Sequence, residues 1–273
     1  LKLSVRYPGS AEFDFISFLK IVKQSAVESI ELTAYNNDYL SLDSTPEEVS
    51  MFRSLINGYG IKLTSIITEI TLIEDDEQKR DENINRLKQY FELAKQIGCK
   101  AVSVKLGSYP ADANKHKVDR KVVDMLNQAE QLCRSTDIDL LVNANQKTSK
   151  GETLYPIFRD VASERIGIVW NIDETFKNGE SYEKTIRLIG GRIKVVHITD
   201  RTSFDAEPVF CKIGKGILNV ENIVNYLLKL NYDGVFSLKW KKSPKKSIAF
   251  DEQLLSFIEF MRDVENSNLA NNN

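Results

Sequence analysis

The stretch YDGVFSLKW, residues 232–240, decides how the rest of the chain is read. Its apolar core predicts a strand. A strand alternates faces, so Val235, Ser237 and Lys239 point one way while Phe236, Leu238 and Trp240 point the other. One face is oily and the other ends in a charge. Burying an unpaired ammonium is costly, so Lys239 has to reach water, a carboxylate or an anionic ligand.

Seven more short runs rich in Val, Ile and Leu precede it: KLSVRY, SIELTA, KLTSIIT, AVSVKL, IDLLVNA, IGIVWNI and IKVVHIT. Segments of helical period lie between them. TPEE at 45–48 offers Thr45 as N-cap, Pro46 at the first helical position and Glu48 closing a capping box. Further on, Ile84, Leu87, Phe91, Ala94 and Ile97 recur at steps of three and four until Gly98 stops the helix. Asn219 and Asp251 stand where they can cap the last two helices. Eight strands alternating with eight helical segments predict an α/β fold, a single-domain (β/α)8 barrel. A doubly wound open sheet is the alternative, but no glycine-rich dinucleotide loop follows the first strand. The barrel is expected over residues 1–263, with the polar, low-complexity end, 264–273, as a disordered tail.

Composition narrows the function. The chain has 273 residues, 42% hydrophobic and 28% charged, enough to bury a substantial core. A net charge of −2 supplies no field for phosphate backbones, so nucleic acid is not an expected partner. Cys99, Cys133 and Cys211 are too few and too far apart for a disulfide framework or a sulfur-ligated metal. No apolar run is long enough to span a bilayer, so no membrane partner is expected either. The default location is cytoplasmic, with export after removal of a targeting segment as the alternative. The oligomeric state stays open, a homo-oligomer included.

In a barrel, one parity of each strand faces the helices and the other faces the axis, and ligands sit at the strands' C-terminal ends. Sorted that way, Arg6, Glu31, Lys105, Asn143, Asn145, Asn171, Asp173, His197 and Lys239 converge on one mouth. The third strand is ambiguous, with Glu69 following its end. Any one of these residues can simply satisfy another across the barrel. As a set they describe a ligand site. Trp170 and Trp240 take the outward parity and are expected to pack on helices. The loop at 201–216 is long enough to cover the mouth, and its Gly214 and Gly216 are read as a turn before a lid hinge.

The chain resembles the xylose-isomerase-like TIM barrels, the superfamily of sugar phosphate isomerases and epimerases that also holds the apurinic endonucleases. SIELTAYN, NINRLKQYFELAKQIGCKAVSVKLGSYP, VVHITD and KIGKGILNVENIVNYLLKLNYDGVFSLKW carry the likeness in the expected order. The resemblance implies a divalent metal held by a glutamate, an aspartate, a histidine and a glutamate on the fifth to eighth strands, the glutamates doubling as acid and base. Carried over, these positions fall on Asn143, Asn171, His197 and Lys239, and a histidine three residues after the aspartate falls on Glu174. Lys105 stands where relatives often place a histidine. His197 is then the only retained ligand, and no metal or other cofactor is expected. The expectation that follows is a divergent barrel that binds a small sugar or sugar acid through Arg6, Lys105, Asn143, Asn145, Asn171, Glu174 and His197, with the metal-dependent proton transfer lost. Lys239 is expected to pair with Glu31, Asp173 or Glu174, and Lys239, Glu31 and Asp173 are the candidates for any chemistry that remains. Two alternatives stand beside it. One is an active isomerase or epimerase that rebuilds a Mn, Mg, Co or Zn site from Glu31, Glu69, Asp173, Glu174 and His197. The other is metal-free Schiff-base chemistry at Lys239 or Lys105. Endonuclease chemistry needs several histidine ligands, and the chain holds only His116, in a loop stretch, and His197.

Overall fold

The computed structural model describes residues 1–9, 11–35, 39–204, 209–243 and 247–271. Eight parallel strands close on themselves in sequence order: β1 (Lys2–Arg6), β2 (Ser29–Thr33), β3 (Lys62–Thr71), β4 (Ala101–Lys105), β5 (Asp139–Asn143), β6 (Ile166–Asn171), β7 (Ile193–Ile198) and β8 (Val235–Leu238). The last strand pairs with the first, with Ser4 opposite Ser237. Between the strands run α1 (Phe15–Gln24), α2 (Pro46–Tyr59), α3 (Glu77–Ile97), α4 (Lys115–Thr136), α5 (Gly151–Arg159), α6 (Ile172–Lys177), α7 (Tyr182–Ile189) and α8 (Val220–Lys229), and α9 (Phe250–Asn271) follows β8. The fold is the expected single-domain (β/α)8 barrel. The sixth unit spends two helices, α6 and α7, where one was expected.

Local chemistry sets these boundaries. Thr45 and Glu48 form the reciprocal capping box at the start of α2, with Pro46 inside it. Gly98 ends α3 in the left-handed conformation at φ 74°, and the apolar stripe of that helix is buried at Leu87, Phe91, Ala94 and Ile97. Asn219 occupies the N-cap position of α8, but at φ 48° and without a side-chain cap bond. Helix α9 starts before Asp251, so that residue lies in its first turn and acts on the helix dipole.

Two expectations about boundaries are corrected. Glu69 lies inside β3, which runs on to Thr71 through a register shift against β4. The polar segment after 263 is helical: α9 continues to Asn271 because Val264 is buried and Asn268 is tied to Asn225 Oδ1 and Val264 O at 2.6 and 2.7 Å. Composition marked it as a tail, but tertiary anchoring supplies what its sequence lacks.

The apolar parity of the strands packs under the helices in one continuous core. Trp170 is buried there and donates Nε1–H to Thr175 Oγ1 at 2.9 Å, and Trp240 meets Phe250 of α9 edge to face at 6.0 Å. Inside the barrel, Ala101, Leu141, Val169 and Val195 form a small apolar layer with Val235 against it. Polar layers stack above that plug, so the axis is sealed below and chemistry is confined to the mouth.

The β7–α8 connection is fixed by one carboxylate. Asp200 Oδ1 accepts from Arg201 N at 2.9 Å and Leu218 N at 3.3 Å, and Oδ2 accepts from Gly214 N at 3.0 Å and Gly216 N at 2.9 Å. A Cβ at Gly216 would fall 2.1 Å from Asp200 Oδ1, and Gly214 sits at φ +79°. Gly214 and Gly216 therefore make a clamped turn. Within the loop, 205–208 lie outside the described residues. Asp200→Ala is expected to cost about 3 kcal/mol, because four backbone donors lose their acceptor together, and the loss is read as a lowered Tm. Asp200→Asn, which keeps one oxygen, should lose less. Unchanged melting of both variants would show that the loop is held elsewhere.

Candidate functional site

At the centre of the barrel's polar groups is Glu31, on β2, with no exposed surface. Its Oε1 and Oε2 lie 3.0 and 3.2 Å from His197 Nε2, and it accepts from Ser65 Oγ at 3.1 Å and from Ser237 Oγ. Burial alone would raise its pKa. The His197 ring, the Ser237 hydroxyl and Arg6 outweigh that and hold the carboxyl at about 2. Burial pulls the imidazolium of His197 below its ordinary value against the pull of Glu31, with Lys239 and Arg6 adding to the downward push.

Asn171 ties this pair to the mouth. Its Nδ2 donates to Asn143 Oδ1 at 2.8 Å, Ala144 O at 3.1 Å and Asn145 Oδ1 at 3.0 Å. The backbone carbonyl of Ala144 can only accept, so the amide orientation is settled and Oδ1 faces the other way. There it meets two donors at 2.9 Å, His197 Nδ1 and Lys239 Nζ. Both ring nitrogens of His197 thus face acceptor oxygens. Loss of a ring proton would cost one of those two bonds.

Lys239 does not pair with Glu31, Asp173 or Glu174, the partners expected from the sequence; among the described residues its hydrogen-bond partner is the neutral amide of Asn171. The reason is competition. Asp173 lies in α6, just past β6, and is held by Arg201 at 3.1 Å and Lys241 at 2.7 Å, while Glu174 lies 3.8 Å from Lys241. Left without a salt bridge, the Lys239 ammonium is pushed down to about 7 by burial, with Arg6 and Lys241 adding to the push and Glu174 and Asp173 opposing it.

Arg6 and Lys105 are also without carboxylate partners among the described residues. Among the described residues Arg6, beside Glu31 in the β1–β2 register, makes no salt bridge, and Lys105, opposite Asn143, sits over the Tyr35 ring at 5.1 Å. Below Lys105 on the same strand face, the buried hydroxyl of Ser103 has no hydrogen-bond partner. Glu69 is not part of this cluster. It binds Arg86 and accepts from Tyr90, lining a cavity of about 770 Å³ between α2 and α3 that none of Arg6, Glu31, Lys105, Asn171, His197 and Lys239 lines.

Arg201 and Lys241 were missed as mouth residues. The signal for Lys241 was present, since it shares parity with Lys239 in LKWKK. Arg201 follows Asp200, whose clamp turns the chain, and strand periodicity ends before that point. His116 lines a separate small groove with Asp119 and Asp160.

No helix among the described residues is long and apolar enough to cross a membrane. The xylose isomerase-like TIM barrel model matches residues 19–263. Over 114 residues the chain is 29% identical to the uncharacterized protein MJ1311 of Methanocaldococcus jannaschii, a match covering 41% of this chain and 38% of that protein. Its backbone is similar to that of the IolI protein solved with a bound zinc atom, with a TM-score of 0.80, 17% identity, and 97% and 98% of the two chains covered. It is similar as well to a D-tagatose 3-epimerase-like protein, with a TM-score of 0.78, 19% identity, and 98% and 100% covered. Identities this low speak for the fold alone, and the fold they share is the closed barrel described above. Together with the family match over most of its length, this makes the chain a member of the xylose isomerase-like TIM barrel family.

Proposed function

We propose that the mouth binds a small anionic carbohydrate, a sugar acid or sugar phosphate, without the metal-dependent proton transfer that the fold family is built for. The observation that carries this reading is the imbalance of charge partners. Glu31 is taken by His197 and two serines, and Asp173 by Arg201 and Lys241, while Arg6, Lys105 and Lys239 have no carboxylate within salt-bridge distance among the described residues. Unpaired cations over a sealed polar floor attract an anion, and Asn145 and Ser103 offer neutral groups for hydroxyls.

The residues present do not fit a divalent ion. Asn143 and Asn171 bring neutral oxygens, and Asn171 Oδ1 already accepts from Lys239 and His197. Both nitrogens of His197 are engaged, and an ammonium occupies the fourth position. Among the described residues, no group of three or more His, Cys, Asp or Glu side chains is arranged to hold a metal. The zinc of the IolI structure thus lacks an equivalent donor set here. A rebuilt site is equally unsupported, since Glu69 and Asp173 are bound to arginines on different sides of the structure's polar network. Glu31 is a poor general base, because its donors hold it at about 2.

Calorimetric titration with ribose 5-phosphate and gluconate is expected to show binding, with neutral fructose at least about tenfold weaker. Arg6→Ala and Lys105→Ala should each weaken the anionic ligands about tenfold, about 1.4 kcal/mol. Equal affinity for fructose would overturn the charge argument. Metal analysis after loading with Mn, Mg, Co and Zn and dialysis should find no retained ion; one ion per chain, lost in His197→Ala, would restore a metal-dependent isomerase.

The depressed Lys239 also predicts a pH dependence of stability. Its folded value of about 7 lies below the ordinary 10.5, so between those limits the unfolded chain binds more protons and the fold gains stability as pH rises. Thermal melts of the parent relative to Lys239→Met should therefore improve from pH 6 to pH 10. A constant difference would place Lys239 in an ordinary solvated environment.

A further inference from the structure

We infer that Lys239 is a nucleophilic amine that forms an imine with a carbonyl compound carrying an anionic group, such as a keto acid or a ketose phosphate. The inference rests on the anion-binding reading of the mouth and adds a covalent step to it. Three geometric observations support it.

The amine is held, not paired. The Lys239 backbone is locked to β7 and the turn after it by Lys239 N donating to Ile198 O at 2.9 Å and Thr199 Oγ1 donating to Lys239 O at 3.0 Å. Nζ then donates to Asn171 Oδ1, whose direction is fixed by three bonds from the other end of the amide. A neutral acceptor orients the nitrogen without stabilising its charge, and leaves its lone pair available when it is uncharged.

The neighbouring charges favour the neutral amine. Arg6 and Lys241 act on Lys239 as like charges, and the nearby carboxylates of Asp173 and Glu174 are occupied with Lys241 and, for Asp173, Arg201. A lysine beside other cations is the arrangement that activates an amine. Recognition of the ligand's anionic group is left to Arg6 and Lys105, which have no carboxylate within salt-bridge distance among the described residues. The mouth thus divides its cations between binding and reaction.

The nitrogen shares its acceptor with an imidazole. His197 Nδ1 shares the Asn171 oxygen with Nζ, and its Nε2 faces Glu31. In the step itself, the amine nitrogen bonds to the carbonyl carbon and the carbonyl π pair moves to oxygen. Two protons leave the nitrogen of the protonated lysine and end on that oxygen, which departs as water, leaving one N–H on the iminium. The charge is unchanged and no oxidant or reductant is consumed. Asn171 acts as a positioning residue and Lys239 alone as the catalytic one.

The test is reductive trapping of the full chain with sodium cyanoborohydride in the presence of pyruvate or fructose 6-phosphate, followed by peptide mapping by mass spectrometry. Calorimetry with the same two compounds runs beside it. The expected result is one adduct per chain on Lys239, formed roughly 100-fold faster at neutral pH than on exposed lysines. Lys239→Arg should lose the adduct. The peptide map of the parent decides the matter whether or not the variant folds. Binding heat with no adduct on Lys239, or adducts spread evenly over exposed lysines, overturns the inference and leaves anion binding standing. Absence of both heat and adduct overturns the two together.

Discussion

A carboxylate without exposed surface governs the interior of this barrel. Glu31 is ionised at the centre of the strand bundle, and such a charge persists only where donors surround it: His197 from β7, Ser237 from β8 and Ser65 from β3. Breaking a buried pair of this kind costs about 3–5 kcal/mol in general, because the remaining charge is left uncompensated. The four strands that meet at Glu31 are therefore held in one register. The polar layer they form cannot be rearranged piece by piece.

The state of the mouth follows from that layer. With one nitrogen of His197 committed to Glu31, its other nitrogen goes to Asn171, and Asn171 then offers the same oxygen to Lys239. Asp173, the nearest free carboxylate in sequence, is drawn instead to Arg201 and Lys241. Each pairing removes an option from the next residue. The result is a mouth in which Glu31 and Asp173 are paired internally while Arg6, Lys105 and Lys239 have no carboxylate partner among the described residues.

Membership of the family fixes the fold and leaves the chemistry to the side chains at the mouth. The closed barrel belongs to the family architecture. In this chain the histidine on β7 faces the carboxylate of Glu31 and the amide of Asn171, and the ammonium of Lys239 shares that amide oxygen.

The sequence by itself determined the barrel. Alternation in runs such as AVSVK and VFSL set which residues face the axis, because side chains on a strand change face at every step. The capping box at Thr45 and the stop at Gly98 were equally legible, being local hydrogen-bond chemistry. The convergence of Arg6, Glu31, Lys105, Asn171, His197 and Lys239 on one region followed from parity. Their pairing did not. Whether Lys239 meets Glu31 or Asn171 depends on distances across a closed sheet and on rivals such as Lys241 and Arg201, which come from segments beyond the strands. The helical end of α9 was hidden for the same reason, since a polar segment folds there only because Val264 and Asn268 find partners far away in sequence or within the packed helix. Periodicity specifies a face, but only the closed tertiary structure decides which of several charged groups on that face wins a given partner.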